Sequence, residues 1–214
     1  MVQLLSFDIG IKNMAYCFVK VCDNNNDNGN GNGNGNGNGN GKKEIVFKNL
    51  NKTDLNLSKK ANIQNIIENT IEFLDNLINH ELSIDIDDKL IVLIECQMTS
   101  VMRTIQTTIN TYFKMLNRYD SYQIETNYVS PKHKLNIINK YQDKVAANSY
   151  KQNKMDAIYF CQYLLENTYK DIDTNSHANN EKKFIDIYNG LKKKDDISDA
   201  FLMVIYYYEM IILS

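Results

Sequence analysis

The spacing of apolar positions opens with Val2 to Asp8, a short run that ends in an acid. A turn follows at Gly10-Ile11-Lys12-Asn13, then a second run, Met14 to Val21. Glu44 to Lys48 reads as a third strand, and three such runs predict an antiparallel meander. From Ser58, read as an N-cap, the period becomes helical up to about Asn79, with Ile63, Ile66, Ile67, Ile71, Leu74, Leu77 and Ile78 on one face. Leu90 to Ile94 is almost continuously apolar and stops at Glu95, as expected of a strand buried on both faces. A helix lies within Ser100 to Asn117 and a strand at Gln123 to Val129. Ser130-Pro131 then supplies an N-cap and a proline at the first helical position. Further helices fall near Lys132 to Lys140, Tyr150 to Tyr169 and Asp195 to Leu213. The order βββαβαβα predicts an α/β fold, a mixed five-stranded sheet of three antiparallel and two parallel strands with helices on both faces. One domain spanning residues 1–214 accounts for it.

One segment breaks the pattern. Asn28 to Gly41 is unbroken Asn-Gly alternation, inside a low-complexity insertion at about 23–43. It has no side chain able to bury apolar area, so a disordered loop is expected. Its glycines do not form a phosphate loop, because Gly41-Lys42-Lys43 lacks the Ser or Thr that such a loop needs. No nucleotide cofactor is therefore expected.

Composition narrows the class. Net charge is -2, which argues against a globally basic nucleic-acid binder and leaves only a local basic face. No stretch approaches the roughly 20 apolar residues of a membrane span, and the N-terminus has no secretory pattern. Cys17, Cys22, Cys96 and Cys161 make no CxxC pair and read as reduced core thiols of an intracellular protein.

The informative feature is where the acids sit. Asp8 closes one apolar strand and Glu95 closes another, while Asp196 and Asp199 lie i, i+3 on an otherwise apolar helix, with Asp195 beside them. Each is placed to be half buried, and a buried unpaired carboxylate is costly. Several converging carboxylates repel unless a positive charge neutralises them, which a hard divalent cation such as Mg²⁺ does. Four carboxylates are enough for two metals, the arrangement used for in-line phosphodiester displacement. Taken singly, each acid also reads as a helix-cap partner or a lone salt bridge, and Asp196 and Asp199 as favourable charges in a first helical turn. Cys96, next to Glu95, is expected on the opposite face of the strand.

Three stretches carry a resemblance over almost the whole chain: Leu5-Ser6-Phe7-Asp8-Ile9-Gly10-Ile11-Lys12-Asn13-Met14-Ala15, Ile94-Glu95-Cys96-Gln97, and Lys193-Lys194-Asp195-Asp196-Ile197-Ser198-Asp199-Ala200. With Tyr128-Val129-Ser130-Pro131-Lys132-His133-Lys134 between them, the chain resembles the Holliday junction resolvases of the poxvirus and fungal-mitochondrial type. These are relatives of bacterial RuvC in the ribonuclease H and retroviral integrase superfamily. The resemblance implies a ribonuclease H-like fold and a metal-dependent endonuclease that nicks four-way DNA junctions symmetrically and leaves a 5′-phosphate. It implies that Asp8, Glu95, Asp196 and Asp199 are the catalytic, metal-binding acids, with two Mg²⁺ per site and Mn²⁺ as a substitute. Lys134 takes the place of the lysine that reaches the scissile phosphate, with Lys132 competing for the role. Arg103 stands further from Glu95 than the family's arginine does, so junction contact and plain surface arginine both stay open for it.

Holding DNA requires positive charge. Ser130 to Lys154 contains Lys132, Lys134, Lys140, Lys144, Lys151 and Lys154 against Asp143 alone, a local charge of +5, and Lys192, Lys193 and Lys194 precede the last helix. Such fields suit phosphate contacts that position DNA without reading its sequence, though a solvated lysine face has the same composition. A four-way junction has two-fold symmetry and is cut in two opposed strands, so a homodimer is expected. Rival readings are an RNA–DNA hybrid ribonuclease or flap nuclease on the same scaffold, and an inactive junction-binding protein using only the lysines. An AT-rich composition and the poxvirus-like resemblance point to the cytoplasmic factory or virion of a large DNA virus, with mitochondria as the alternative.

Overall fold

The computed structural model describes residues 1–24, 42–58, 61–133, 136–137, 150–169 and 184–214. The Asn-Gly insertion, Lys134, Lys140, Lys144 and most of the helix expected at Lys132 to Lys140 lie outside the described residues. Within them, five strands form one sheet in the order β3-β2-β1-β4-β5. β1 (Val2–Asp8) pairs antiparallel with β2 (Met14–Asn24), and β2 pairs antiparallel with β3 (Lys42–Thr53). β4 (Lys89–Glu95) joins β1 in parallel, and β5 (Gln123–Val129) joins β4 in parallel. This is the predicted mixed sheet. Both parallel pairs are reached through helical connections, as parallel strands require.

β1 and β4 are central, and their continuous apolar runs follow from burial on both faces: from Gln3 and Leu90 onward every residue of each strand is buried. β3 alternates, but its buried positions change parity from Ile45 and Phe47 to Leu50. The register against β2 shifts between Phe18 and Val19, leaving Lys48 as the extra residue of a bulge.

One face of the sheet is covered by α1 (Ile63–Asn76, continued by a π-helical turn, Leu77–Glu81) and α2 (Ser100–Tyr119). Their core includes Phe7, Phe18, Leu74, Ile94, Ile109 and Phe113. The other face carries α3 (Tyr150–Asn167), α4 (Phe184–Asn189) and α5 (Asp195–Tyr207, continued by a π-helical turn, Tyr208–Ile212). There Phe47, Leu93, Phe160, Phe201 and Val204 pack together.

Two details of α1 differ from what periodicity predicts. Its cap is Asn62, whose Oδ1 accepts from the Asn65 backbone N–H at 2.8 Å, not Ser58. Its buried stripe is Ile66, Thr70, Leu74 and Leu77, while Ile63 (67% exposed) and Ile71 (38%) face outward. One narrow stripe suffices to cover a sheet, and apolar periodicity alone does not say which turn of a wider stripe the sheet takes. The cysteines also divide. Cys17 and Cys161 are core thiols that burial pushes up, Cys161 to about 12, whereas Cys22 and Cys96 are half-buried.

The turn after β1 depends on Gly10. A Cβ there would lie 2.6 Å from the carbonyl oxygen and 3.0 Å from the carbonyl carbon of Asn13. Because the obstruction is backbone, it cannot swing away. Gly10→Ala is expected to force the Asp8–Asn13 turn apart and to cost about 1–3 kcal/mol, as overpacking does. Denaturant unfolding reads this directly, and an unchanged midpoint would show that the turn opens freely.

Candidate active site

The two strand-terminal acids meet because their strands are parallel neighbours in register. Phe7 pairs with Ile94, so Asp8 and Glu95 are the next residues of β1 and β4 and emerge from the same end of the sheet. Side chains alternate along a strand, so both share the face of Leu4, Ile91 and Leu93, the face covered by α3 to α5. Their exposures are 8% and 7%. Two carboxylates this deep and this close in the fold need compensating charge.

α5 brings the other acids. Ser6 Oγ, two residues before Asp8, donates to the carbonyl of Ala200 at 2.7 Å and fixes the second turn of α5 over β1. The Tyr188 hydroxyl on α4 joins Ser198 Oγ (2.8 Å) to the carbonyl of Ile158 on α3 (3.2 Å), tying three helices together beneath the acids. The result is a cleft of about 450 Å³ whose walls include Asp8, Glu95, Asp196 and Asp199, with Lys132, Asn153, Lys154 and Gln97 around them. Four acids from three distant segments thus share one cavity.

The site lysines fall into distinct places. Lys132 lines the cleft beyond β5, where His133 stacks on Tyr206 of α5 at 4.8 Å and holds the start of that segment. Lys154 lines it from α3 and bonds Asp195 at 2.7 Å. Lys193 bonds Asp196 at 2.7 Å and reaches Asp195 at 3.5 Å. Lys194 turns away, its Nζ 4.7 Å above the Tyr188 ring and 3.3 Å from Asn189 Oδ1. Lys134 lies outside the described residues, as does the side chain of Lys151. Arg103 is outside the cleft, in a groove between α1 and α2, and its Nε donates to the carbonyl of Gln97 at 3.2 Å.

Asp195 takes no place in the cleft lining. It is 8% exposed and lies between two ammonium groups. Burial raises its carboxyl, but the Lys154 hydrogen bond and charge, with Lys193, outweigh that and hold it below the usual carboxylate range. Lys193 is raised, first by its bond to Asp196. Any stability the Asp195 cluster contributes is therefore present above the ordinary carboxylate pKa and lost as acid titrates Asp195 below it.

Two cleft residues have no role assigned from the sequence, Gln97 and Asn153. Gln97 Nε2 donates to Glu95 Oε2 at 2.8 Å, while its own N–H donates to Gln106 Oε1 at 2.8 Å. Arg103, Gln106 and Gln97 thus form a chain that orients Glu95, and the signal for it is Gln97 two residues beyond the acid. Asn153, on the cleft wall, gives no signal. Cys96, half-buried, borders the cleft beside Glu95, and its N–H donates to the carbonyl of Val129 at 2.9 Å.

The donor set is all carboxylate oxygen, two members of it more than nine-tenths buried, and this suits a hard divalent cation. Among the described residues, no three acids, histidines or cysteines are gathered tightly enough to form a metal cage.

No protein-family model and no curated protein sequence matches this chain. In three dimensions it is similar to the yeast mitochondrial Holliday junction resolvase Ydc2, with a TM-score of 0.60 at 14% identity, over 95% of this chain and 76% of that one. T. thermophilus RuvC in complex with Holliday junction substrate aligns at a TM-score of 0.47 and 8% identity, over 98% and 96%. The likeness to the yeast structure establishes the fold as the ribonuclease H-like fold of resolvases. Among the described residues, no helix is long and apolar enough to cross a membrane.

Proposed function

We propose that this chain is a Holliday junction resolvase of the poxvirus and fungal-mitochondrial type, a metal-dependent endonuclease that nicks four-way DNA junctions symmetrically. The observation that carries the proposal is the meeting of Asp8, Glu95, Asp196 and Asp199 in one cleft, on a fold shared with the yeast resolvase. Asp8, Glu95, Asp196 and Asp199 would hold two Mg²⁺, or Mn²⁺ in their place. Bound there, the cations supply Lewis-acid polarisation of the phosphodiester and acidify the attacking water.

The chain's own groups do the rest. Gln97 fixes one oxygen of Glu95, so that carboxylate enters the cleft in one orientation. Lys132, exposed at the cleft, offers its ammonium group to a phosphate lying across the acids, and Lys134 is assigned the scissile phosphate by resemblance. Lys193 pairs with Asp196 at 2.7 Å and so holds that side chain at the cleft wall. Ser6 holds the start of α5 against β1, and Tyr188 holds it against α3 and α4.

The test is cleavage of a labelled synthetic four-way junction beside linear duplex and RNA–DNA hybrid, with Mg²⁺ and with EDTA. Paired, metal-dependent nicks that ligase reseals are expected. Cutting of the hybrid alone would make the protein a ribonuclease, and tight binding without any cutting would make it a junction-binding protein.

Cutting two opposed strands takes two active sites, and we place them in a C2 homodimer. The outward Ile63 and Ile71 of α1 and Met115 of α2 (49% exposed) give it an apolar face. Sedimentation is expected to return twice the chain mass, and a monomer at micromolar concentration would remove the dimer. For the compartment we keep the cytoplasmic viral factory, supported by composition and resemblance. The fold's likeness to a mitochondrial enzyme supports the organelle instead, and imaging of a tagged protein separates the two.

A further inference from the structure

Asp195 is the immediate neighbour of Asp196, yet the two carboxylates have different surroundings. Successive side chains on a helix point about 100° apart, so two neighbours do not face one cavity equally. Asp196 takes the cleft wall, and Asp195 turns from it toward Lys154 of α3. There it stands in a short line of alternating charge. Lys154 Nζ bonds Asp195 Oδ2 at 2.7 Å, and Lys193 Nζ stands 3.5 Å from Asp195 Oδ1. The same Lys193 Nζ bonds Asp196 Oδ2 at 2.7 Å.

Burial along this line is uneven. The Asp195 side chain is 11% exposed, against 33% for Lys154 and 48% for Lys193. Among the described residues Asp195 Oδ1 makes no hydrogen bond, so the Lys193 charge is what meets it. A carboxylate this enclosed depends on its charge partners, and in return it takes up their charge. Lys154 is the partner that matters for the cleft, because it lines the cavity together with Asp8, Glu95, Asp196 and Asp199. Without a carboxylate behind it, an ammonium group on that wall pairs with those acids instead. One positive charge then competes for the oxygens that a divalent cation needs.

We propose that Asp195 is a positioning residue: it draws the Lys154 ammonium back from the cleft acids and so strengthens the hold of Asp8, Glu95, Asp196 and Asp199 on a divalent cation. The inference rests on the metal-binding part of the resolvase reading. It gives Asp195 a function exerted through Lys154, not a place as a fifth ligand.

The experiment is binding of Mn²⁺ alone to the full chain, followed by titration calorimetry and by loss of the free-ion electron paramagnetic resonance signal. Wild type, Asp195→Asn, Lys154→Gln and the double variant are compared. Asp195→Asn keeps the shape and an acceptor oxygen and removes the charge. Its Kd for Mn²⁺ is expected to rise about tenfold, within the range of couplings between groups in contact. Lys154→Gln alone should move Kd by less than about threefold, because Asp195 already neutralises that ammonium. In the double variant most of the loss should return, since the competing ammonium is gone.

Far-UV circular dichroism and Tm without metal, measured beside the titrations, separate positioning from damage to the fold. A Kd that rises only in step with lost folded signal makes Asp195 structural and overturns the proposal. An unchanged Kd in Asp195→Asn overturns it too. So does a loss that Lys154→Gln fails to recover, the result expected of a fifth ligand. Each of these outcomes leaves the four-acid site standing. Wild-type protein that binds no Mn²⁺ overturns the metal-dependent reading as well.

Discussion

Asp8→Asn is expected to abolish junction cleavage in Mg²⁺, by about a thousandfold or more, and to leave junction binding intact. The substitution is nearly isosteric, so β1 and its pairing with β4 survive. What it removes is a carboxylate from a buried part of the cleft, where Asp8 is 8% exposed beside Glu95. A neutral amide oxygen is a poorer donor to a hard cation, and a thousandfold loss corresponds to about 4 kcal/mol of transition-state stabilisation. Binding stays because it belongs to the lysines, and losing a negative charge near phosphates does not weaken it. The measurement is a single-turnover cleavage rate beside an anisotropy titration in Ca²⁺. Wild-type cleavage by the variant would refute the assignment of Asp8. Parallel loss of binding and cleavage would mean that the substitution had unfolded the strand end.

Phe201→Ala is expected to be the most damaging single change to stability. Phe201 is fully buried and stacks on Phe47 at 5.2 Å with 16° between the rings, with Tyr169 edge-on at 6.4 Å. Truncating a buried Phe costs about 3–5 kcal/mol, against a total stability of roughly 5–15 kcal/mol. For a chain of this size that lowers Tm by roughly 6–20 °C. Phe201 lies one residue beyond Ala200, whose carbonyl is held by Ser6, so the cavity opens under the turn that carries Asp196 and Asp199. Thermal unfolding checks the claim. A drop below about 2 °C would show that α5 is held by other contacts.

Part of the site is legible in the order of residues alone. Asp8 and Glu95 stand out because a continuous apolar run that stops on an acid is unusual chemistry for a strand buried on both faces. Parallel pairing then has only to set the two strands side by side. Asp196 and Asp199 stand out because an acidic pair at helical spacing interrupts an otherwise apolar helix. Periodicity also places β4, β5 and α2 closely.

Other features lie beyond it for identifiable reasons. Ile63 and Ile71 read as core because the stripe on α1 is wider than the sheet that covers it. Ser58 and Asn62 are equally good caps by chemistry, and the choice lies in where the chain leaves β3. Arg103 reads equally as a DNA contact or a surface arginine; it is exposed, and its Nε bonds the carbonyl of Gln97, whose side chain holds Glu95 in a role no spacing rule announces.

The alternation of strands and helices, the mixed sheet, and the four acids at the ends of apolar elements are all readable from the order of residues. All of these follow from local periodicity and the cost of burying charge. Which charges face one another comes from the fold. Asp195 lies between Lys154 and Lys193 instead of in the cleft, and Lys12, Lys52 and Lys193 meet across about 180 residues of chain. Electrostatic pairing depends on distances in space of a few ångströms, and a linear sequence carries those only through the fold.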